Sequence, residues 1–165
     1  MYNTDKAELL KEYERLFDTI RNDDVTLLEI GIWEGGSLLW AKDFFPNGNI
    51  LGIDLNLPVM NEDRIDMFVI DQNNSDGLRD MAKDYGKFDV IIDDGSHLGK
   101  ETKNCFRVLW PHVKEGGWYV IEDWDAFEVA PQFKAITKMA QNMLKFKCKK
   151  KIYFKNNKAY AAFQK

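Results

Sequence analysis

The chain has 165 residues, 45% of them hydrophobic, which suits one domain with a real core. Its 23 Lys and Arg against 27 Asp and Glu give a net charge of −4, so the overall balance offers nucleic acid no attraction. Cys105 and Cys148 lie far apart without metal-ligand spacing and read as reduced thiols. The opening MYNTDKAELLKEY is charged rather than a secretory leader, and no apolar run approaches the roughly 20 residues that span a bilayer, so the expectation is a soluble, cytoplasmic protein without membrane contact.

Residues 5–20 place Leu9, Leu10, Tyr13, Leu16, Phe17 and Ile20 at helical spacing. VTLLEIGI (25–32) is a short apolar run, read as a buried strand. Residues 37–45 read as a helix stopped by Pro46. NILGIDLN (49–56) and IDMFVIDQ (65–72) are strand-like. SDGLRDMAKDYG (75–86) opens on a capping residue and closes on glycine, so it reads as a helix. FDVIIDDG (88–95) is a fourth strand, residues 98–113 a helix ending near Pro111, and GGWYVIED (116–123) a fifth strand. Residues 131–147 keep helical periodicity through Phe133, Ile136, Met139, Ala140, Met143 and Leu144. In the closing KKIYFKNNKAYAAFQK, two alternating runs flank Asn156-Asn157, a two-residue hairpin turn.

Repeated strand–helix units with continuous apolar strands predict a parallel sheet covered on both faces. The expected fold is α/β: a Rossmann-like, doubly wound, mostly parallel seven-stranded sheet with a C-terminal antiparallel hairpin, forming one domain over 1–165 behind an N-terminal helical segment (1–24). Ligands of such sheets bind beyond the carboxyl ends of the strands, where strand order switches.

Those ends carry the polar residues. The first runs Glu29-Ile30-Gly31-Ile32-Trp33-Glu34-Gly35-Gly36-Ser37. It is a glycine turn between strand and helix, but Trp33 stands where a dinucleotide fingerprint needs its middle glycine. The turn therefore suits a nucleoside without phosphates; a tight turn with no ligand is the plain alternative. The second strand ends on Asp54, 25 residues after Glu29 and placed to accept hydrogen bonds from both hydroxyls of a ribose. The third ends Ile70-Asp71-Gln72, polar groups that either read an adenine edge or cap a helix. The fourth ends Asp93-Asp94-Gly95-Ser96-His97, and the fifth Glu122-Asp123.

LLEIGIWEGGS and ILGIDLN resemble motif I and the ribose acid of class I S-adenosylmethionine-dependent methyltransferases, over about residues 25–165. EIGIWEGGS, IIDDGSH and YVIEDW together, with Thr4-Asp5-Lys6 and Tyr13, resemble the metal-dependent macrocin- and mycinamicin-type sugar O-methyltransferases, a pattern shared by cephalosporin hydroxylase-like proteins. The resemblance implies S-adenosylmethionine and Mg2+ as cofactors. It implies cofactor-binding roles for Glu29, Gly31, Trp33, Gly35, Ser37, Asp54, Asp71, Gln72 and Asp93. It also implies metal ligation by Asp94, Glu122 and Asp123, with His97 as general base and Asp94 beside it in the chemistry. The chemistry agrees: an alkyl hydroxyl is too weak an acid to attack a methyl group unaided, magnesium prefers oxygen ligands, and a histidine can take the proton.

The chain departs from that group in lacking the histidine of the Thr-Asp-Lys segment and in continuing WDAFEVAPQF after Glu122-Asp123. About 24 residues precede the first strand, where those enzymes carry an extra N-terminal region. Trp124 and Phe127 there either floor a sugar site or pack on the sheet. The expected acceptor is a hydroxylated small molecule, a sugar foremost, and a homo-oligomer in which a partner chain completes the pocket is the other expectation. Two rivals remain. Lys145, Lys147, Lys149, Lys150 and Lys151 form a basic run that a nucleic-acid methyltransferase would use, although the acidic site opposes it and lysines at a sheet edge also discourage edge pairing. A non-catalytic binding module is the other. Metal-dependent oxygenase chemistry ranks below both, since one histidine with carboxylates is not a two-histidine iron triad.

Overall fold

The computed structural model describes residues 2–4, 6–123, 150–155 and 159–165. Asp5, Trp124, Phe127, Cys148, the expected helix 131–147, Lys145, Lys147, Lys149 and the Asn156-Asn157 turn lie outside the described residues.

Helix α1 (Ala7–Phe17) buries Leu9, Leu10, Tyr13 and Phe17, the stripe its spacing predicts, and a 3-10 turn (Asp18–Ile20) ends it. Then follow β1 (Thr26–Ile30), α2 (Gly36–Phe44), β2 (Asn49–Asp54), β3 (Ile65–Val69), α3 (Ser75–Tyr85), β4 (Phe88–Asp93), α4 (Gly99–Leu109), a 3-10 turn (Trp110–His112) and β5 (Val113–Glu122). β6 (Lys150–Lys155) and β7 (Ala159–Gln164) close the chain. Several boundaries differ from the sequence expectation for local reasons. Asn74 rather than Ser75 caps α3, its side chain accepting from the Gly77 N–H at 3.0 Å. Pro111 lacks the N–H that would continue α4, so the chain tightens into the 3-10 turn. β5 begins before Gly116 and stops at Glu122.

The strands are ordered β3-β2-β1-β4-β5-β7-β6. β1 to β5 run parallel, and β7 lies antiparallel to both β5 and β6. This is the expected doubly wound, mostly parallel class with an antiparallel C-terminal pair. The order reverses between β1 and β4, which sets the switch point beyond Ile30 and Asp93.

Side chains alternate between the two faces. Leu28, Ile30, Leu51, Ile53, Ile91, Tyr119 and Ile121 face α3 and α4, where Leu78, Phe106 and Leu109 meet them. Leu27, Ile50, Val90, Ile92, Trp118 and Val120 face α1 and α2, against Tyr13, Phe17, Leu38 and Phe45. The strands are apolar on both sides because both sides are covered. The same alternation decides where the polar residues at the strand ends point. Glu29, Asp94 and Glu122 share parity with Leu27, Ile92 and Val120, and lie toward α1 and α2. Asp93 shares parity with Ile91 and lies toward α3 and α4.

Candidate cofactor and cation site

A cavity of about 720 Å³ opens at the switch point. Gly31, Trp33, Ser37, Asp54, Asp71, Gln72, Asp94 and His97 line it, together with Asn3, Thr4 and Lys6 from the N-terminal segment. Gly31 sits where β1 leaves the sheet, at φ +82°, a conformation L side chains rarely adopt. A Cβ there would fall 2.2 Å from the Asp94 carbonyl oxygen, so only glycine lets β1 and the β4 exit approach this closely.

Asp54 is where the ribose acid is expected. Its Oδ2 accepts from the N–H groups of Ile32 (2.9 Å) and Trp33 (3.3 Å), and its Oδ1 from those of Leu55 (2.6 Å) and Asn56 (3.2 Å). Four backbone donors match the roughly four lone-pair positions of a carboxylate. The carboxylate is thus fixed by the turn itself, and a ligand hydroxyl would share it with those donors.

Three of the expected cofactor residues do not line the cavity. Glu29 is buried beneath it, accepting from Ser37 Oγ (2.7 Å) and Lys6 Nζ (2.6 Å). Gly35 serves instead as the left-handed cap of α2. Asp93 is turned to the opposite face by strand alternation and accepts from Tyr119 OH (2.9 Å) and Gln72 Nε2 (3.2 Å). Burial pushes its carboxyl up to about 7, against the pull of the Tyr119 hydrogen bond. Asp71 does not cap α3; its Oδ1 accepts from the Asn73 N–H at 2.7 Å. Gln72 braces the β4–α4 loop, its Oε1 accepting from the Ser96 N–H at 2.8 Å. Cys105 is buried beside it, its Sγ 3.8 Å from the Gln72 carbonyl.

Beyond β4 and β5, one ligand atom each from Asp94, His97 and Asp123 lies within 4.8 Å of the others. His97 Nε2 is 3.9 Å from Asp94 Oδ1 and 3.7 Å from Asp123 Oδ2. His97 (φ +56°), Asp123 (φ +47°) and Trp33 (φ +44°) all hold positive φ; among the described residues only Arg64 is another non-glycine that does. Such backbone strain concentrates at functional sites. The two hard carboxylate oxygens fit a divalent cation such as magnesium, and the imidazole beside them is placed to act as a base.

Glu122 is not in that group. It is buried, and its Oε1 accepts from Tyr13 OH (2.9 Å) and faces Lys6 Nζ (3.1 Å). Lys6 Nζ also meets Glu29 (2.6 Å) and Asp94 Oδ2 (2.7 Å). Burial raises both Glu122 and Asp94, although Lys6 opposes it. Desolvation works against the Lys6 charge, but the carboxylates outweigh it and its pKa stands well above the usual value. These directions agree: one ammonium is shared among three acids, so it stays charged while the acids are incompletely balanced. In the sequence, Lys6 and Tyr13 carry a family resemblance but no assigned role. The signal was the shared strand parity of Glu29, Asp94 and Glu122, which converges three acids on one face and demands a buried cation.

A doubly wound sheet with a nucleoside-sized cavity at its switch point and a ligating group beside it has the build of a group-transfer domain. Residues 28–124 match the family described as a methyltransferase domain, and the chain belongs to that family. It is 45% identical over 124 residues to demethylmacrocin O-methyltransferase of Streptomyces fradiae, covering 70% of this chain and 31% of that one. Over 124 residues it is 44% identical to mycinamicin VI 2''-O-methyltransferase of Micromonospora griseorubida, with the same 70% and 31% coverage. The chain thus spans 31% of the length of these two curated relatives. Among solved structures it superposes on the MycE methyltransferase of the mycinamycin biosynthetic pathway, in complex with Mg, SAH and mycinamycin VI. The TM-score is 0.81 at 33% identity, covering 93% of this chain and 48% of that one.

Proposed function

We propose that the chain is an S-adenosylmethionine-dependent O-methyltransferase acting on a hydroxyl of a glycosylated small molecule, with a divalent cation such as magnesium at the strand ends. The observation that carries the reading is one of adjacency: Asp94 and His97 both line the cavity, and both cluster with Asp123 beyond β4 and β5. A methyl group from the cavity and a hydroxyl held at that cluster would therefore meet. The sugar class of acceptor is supported by two further relatives whose names carry a glycosyl group: 8-demethyl-8-(2-methoxy-alpha-L-rhamnosyl)-tetracenomycin-C 3'-O-methyltransferase of Streptomyces olivaceus, at 41% identity, and L-olivosyl-oleandolide 3-O-methyltransferase of Streptomyces antibioticus, at 37%. A location in the cytoplasm accords with there being, among the described residues, no helix long and apolar enough to cross a membrane.

The cofactor would lie along Gly31, Trp33 and Ser37, with its ribose toward Asp54 and its base toward Asp71 and Gln72. Bound there, S-adenosylmethionine supplies an electrophilic methyl on a sulfonium. Asp94 and Asp123 would hold the cation, with Glu122 one residue away and drawn inward by Lys6. The chemistry a bound magnesium ion supplies is positive charge beside the acceptor oxygen. His97 Nε2 takes the proton that the hydroxyl loses as its oxygen bonds to the methyl carbon. The products are the methyl ether, S-adenosylhomocysteine and a proton.

The test is calorimetric titration of S-adenosylmethionine, with and without magnesium, on wild type and Asp94→Ala. The expected result is cofactor binding in both proteins and a magnesium response only in wild type. Cofactor binding without any magnesium response would remove the cation from the reading, and absence of cofactor binding would remove the transferase. His97→Ala should keep the cofactor and lose roughly 10²–10⁴-fold in turnover of a sugar acceptor.

A further inference from the structure

Lys6 is a lysine only 5% exposed, carried at the head of α1. It reaches one carboxylate from each of three neighbouring strand ends: Glu29 of β1, Asp94 after β4 and Glu122 of β5. Two of these acids are locked by further bonds, Glu29 by Ser37 and Glu122 by Tyr13. Asp94 is different. It stands in the loop past the end of β4, its side chain is 17% exposed against 2% for the other two, and its neighbour in the cluster is Lys6. The two Asp94 oxygens are also divided. Oδ2 is 2.7 Å from Lys6 Nζ, and Oδ1 is the oxygen that faces His97.

From this we infer that Lys6 is a positioning residue for the cation. By holding Asp94 Oδ2 it turns Oδ1 toward His97 and Asp123, and it keeps Asp94 from being driven outward by Glu29 and Glu122. Two acids of like charge are fixed beneath Asp94, so without the ammonium the least anchored acid moves first. Groups that orient metal ligands without touching the metal govern affinity in this way. The same anchor serves the cavity wall. Asn3 and Thr4, just before Lys6, line the cavity, and the Asn3 carbonyl oxygen lies 2.0 Å from where a Cβ on Gly36 would be. The inference rests on the magnesium-assisted reading proposed above.

Magnesium and S-adenosylhomocysteine are titrated separately into the whole chain, as wild type, Lys6→Gln and Lys6→Arg. Lys6→Gln should weaken magnesium roughly 10–100-fold while weakening S-adenosylhomocysteine far less. Lys6→Arg keeps the charge but not the compact three-way geometry, so its magnesium affinity should fall between the other two. Lys6→Gln binding magnesium as tightly as wild type, or more tightly, would overturn the inference. So would equal losses for both ligands, which would mean general collapse of the site. Should Lys6→Gln fail to fold, Lys6→Arg decides alone: weakened magnesium at an unchanged Tm supports the inference, and wild-type affinity overturns it. A wild-type chain that shows no magnesium response overturns the underlying reading as well, whereas a normal wild-type response with unaltered variants overturns this inference only.

Discussion

Beyond β1 and β2 the site is made of backbone and open volume; beyond β4 and β5 it is made of buried charge. At the first exit a glycine turn aims the Ile32 and Trp33 N–H groups at Asp54, and Ile30, Ile32, Ile53, Leu55 and Leu57 give the cavity an apolar wall. At the second, Asp94 and Glu122 meet Lys6, which also reaches back to Glu29 of β1, under a loop whose His97 holds a left-handed backbone. The difference matches what each half would meet. A nucleoside needs shape and a few fixed acceptors, which a turn provides without desolvating any charge. A cation and a proton transfer need ionised groups at defined distances, and burying those requires a partner for each. Changes at the first exit should therefore act through backbone fit, and changes at the second through charge.

The largest expected effect falls where the exits touch. Gly31→Ala forces an L side chain into a left-handed turn and drives its Cβ onto the Asp94 carbonyl. We expect a loss of about 3 kcal/mol or more, which lowers Tm by about 6–12 °C in a chain of this size. A stable Gly31→Ala protein by thermal melting would mean that the two exits are not mechanically joined. Next in size is Asp54→Asn, which keeps the shape but leaves two of four backbone N–H groups facing an amide. About 2 kcal/mol of stability should go. S-adenosylhomocysteine should bind about tenfold more weakly, while magnesium binding stays as it was. Equal weakening of magnesium would erase the distinction between the halves.

The fold was legible because its strands are apolar on both faces and its turns carry glycine, proline and asparagine. Thr26–Ile30, Asn49–Asp54 and Phe88–Asp93 fall within the runs expected for them. The first exit was legible for the same reason, since Gly31 and Asp54 are local to their strand ends. The second was legible only as a set of residue types. Asp93 and Asp94 look equivalent in sequence, yet neighbours on a strand point to opposite faces, so only Asp94 reaches the cavity. Lys6 was hidden because its partners lie 23, 88 and 116 residues away, and only the parity of Glu29, Asp94 and Glu122 links them.

A smaller effect separates positioning from contact within the second exit. Gln72→Leu removes the acceptor for the Ser96 N–H and the donor to Asp93. Leaving the part-buried Ser96 N–H without its acceptor costs about 1 kcal/mol. The loop carrying His97 should then be less well held, so kcat should fall more than cofactor affinity. If affinity alone falls, Gln72 touches the cofactor and does not brace the loop.

The smallest effect lies away from both exits and supplies the background against which they are read. His112 precedes the first residue of β5, at the opposite end of the sheet from Glu122. Partial burial holds its imidazole below the usual value, aided by the nearby charges of Lys87, Lys165 and Lys83 and opposed by the hydrogen bond it donates to the Gly86 backbone carbonyl. A histidine whose pKa is lower folded than unfolded binds protons more readily in the unfolded chain. Its contribution to stability is therefore complete above the unfolded value of about 6.5 and is lost as pH falls through that value toward the folded one. His112→Gln should leave Tm unchanged at about pH 8 and flatten its fall toward about pH 5, with both ligands still bound as in wild type. Melting curves that fall in parallel for the two proteins would assign the acid limb to groups other than His112. His112 would then be silent in a pH response that the buried carboxyls of Asp93, Asp94 and Glu122 also shape: burial raises all three, so their protonation favours the folded chain as pH falls.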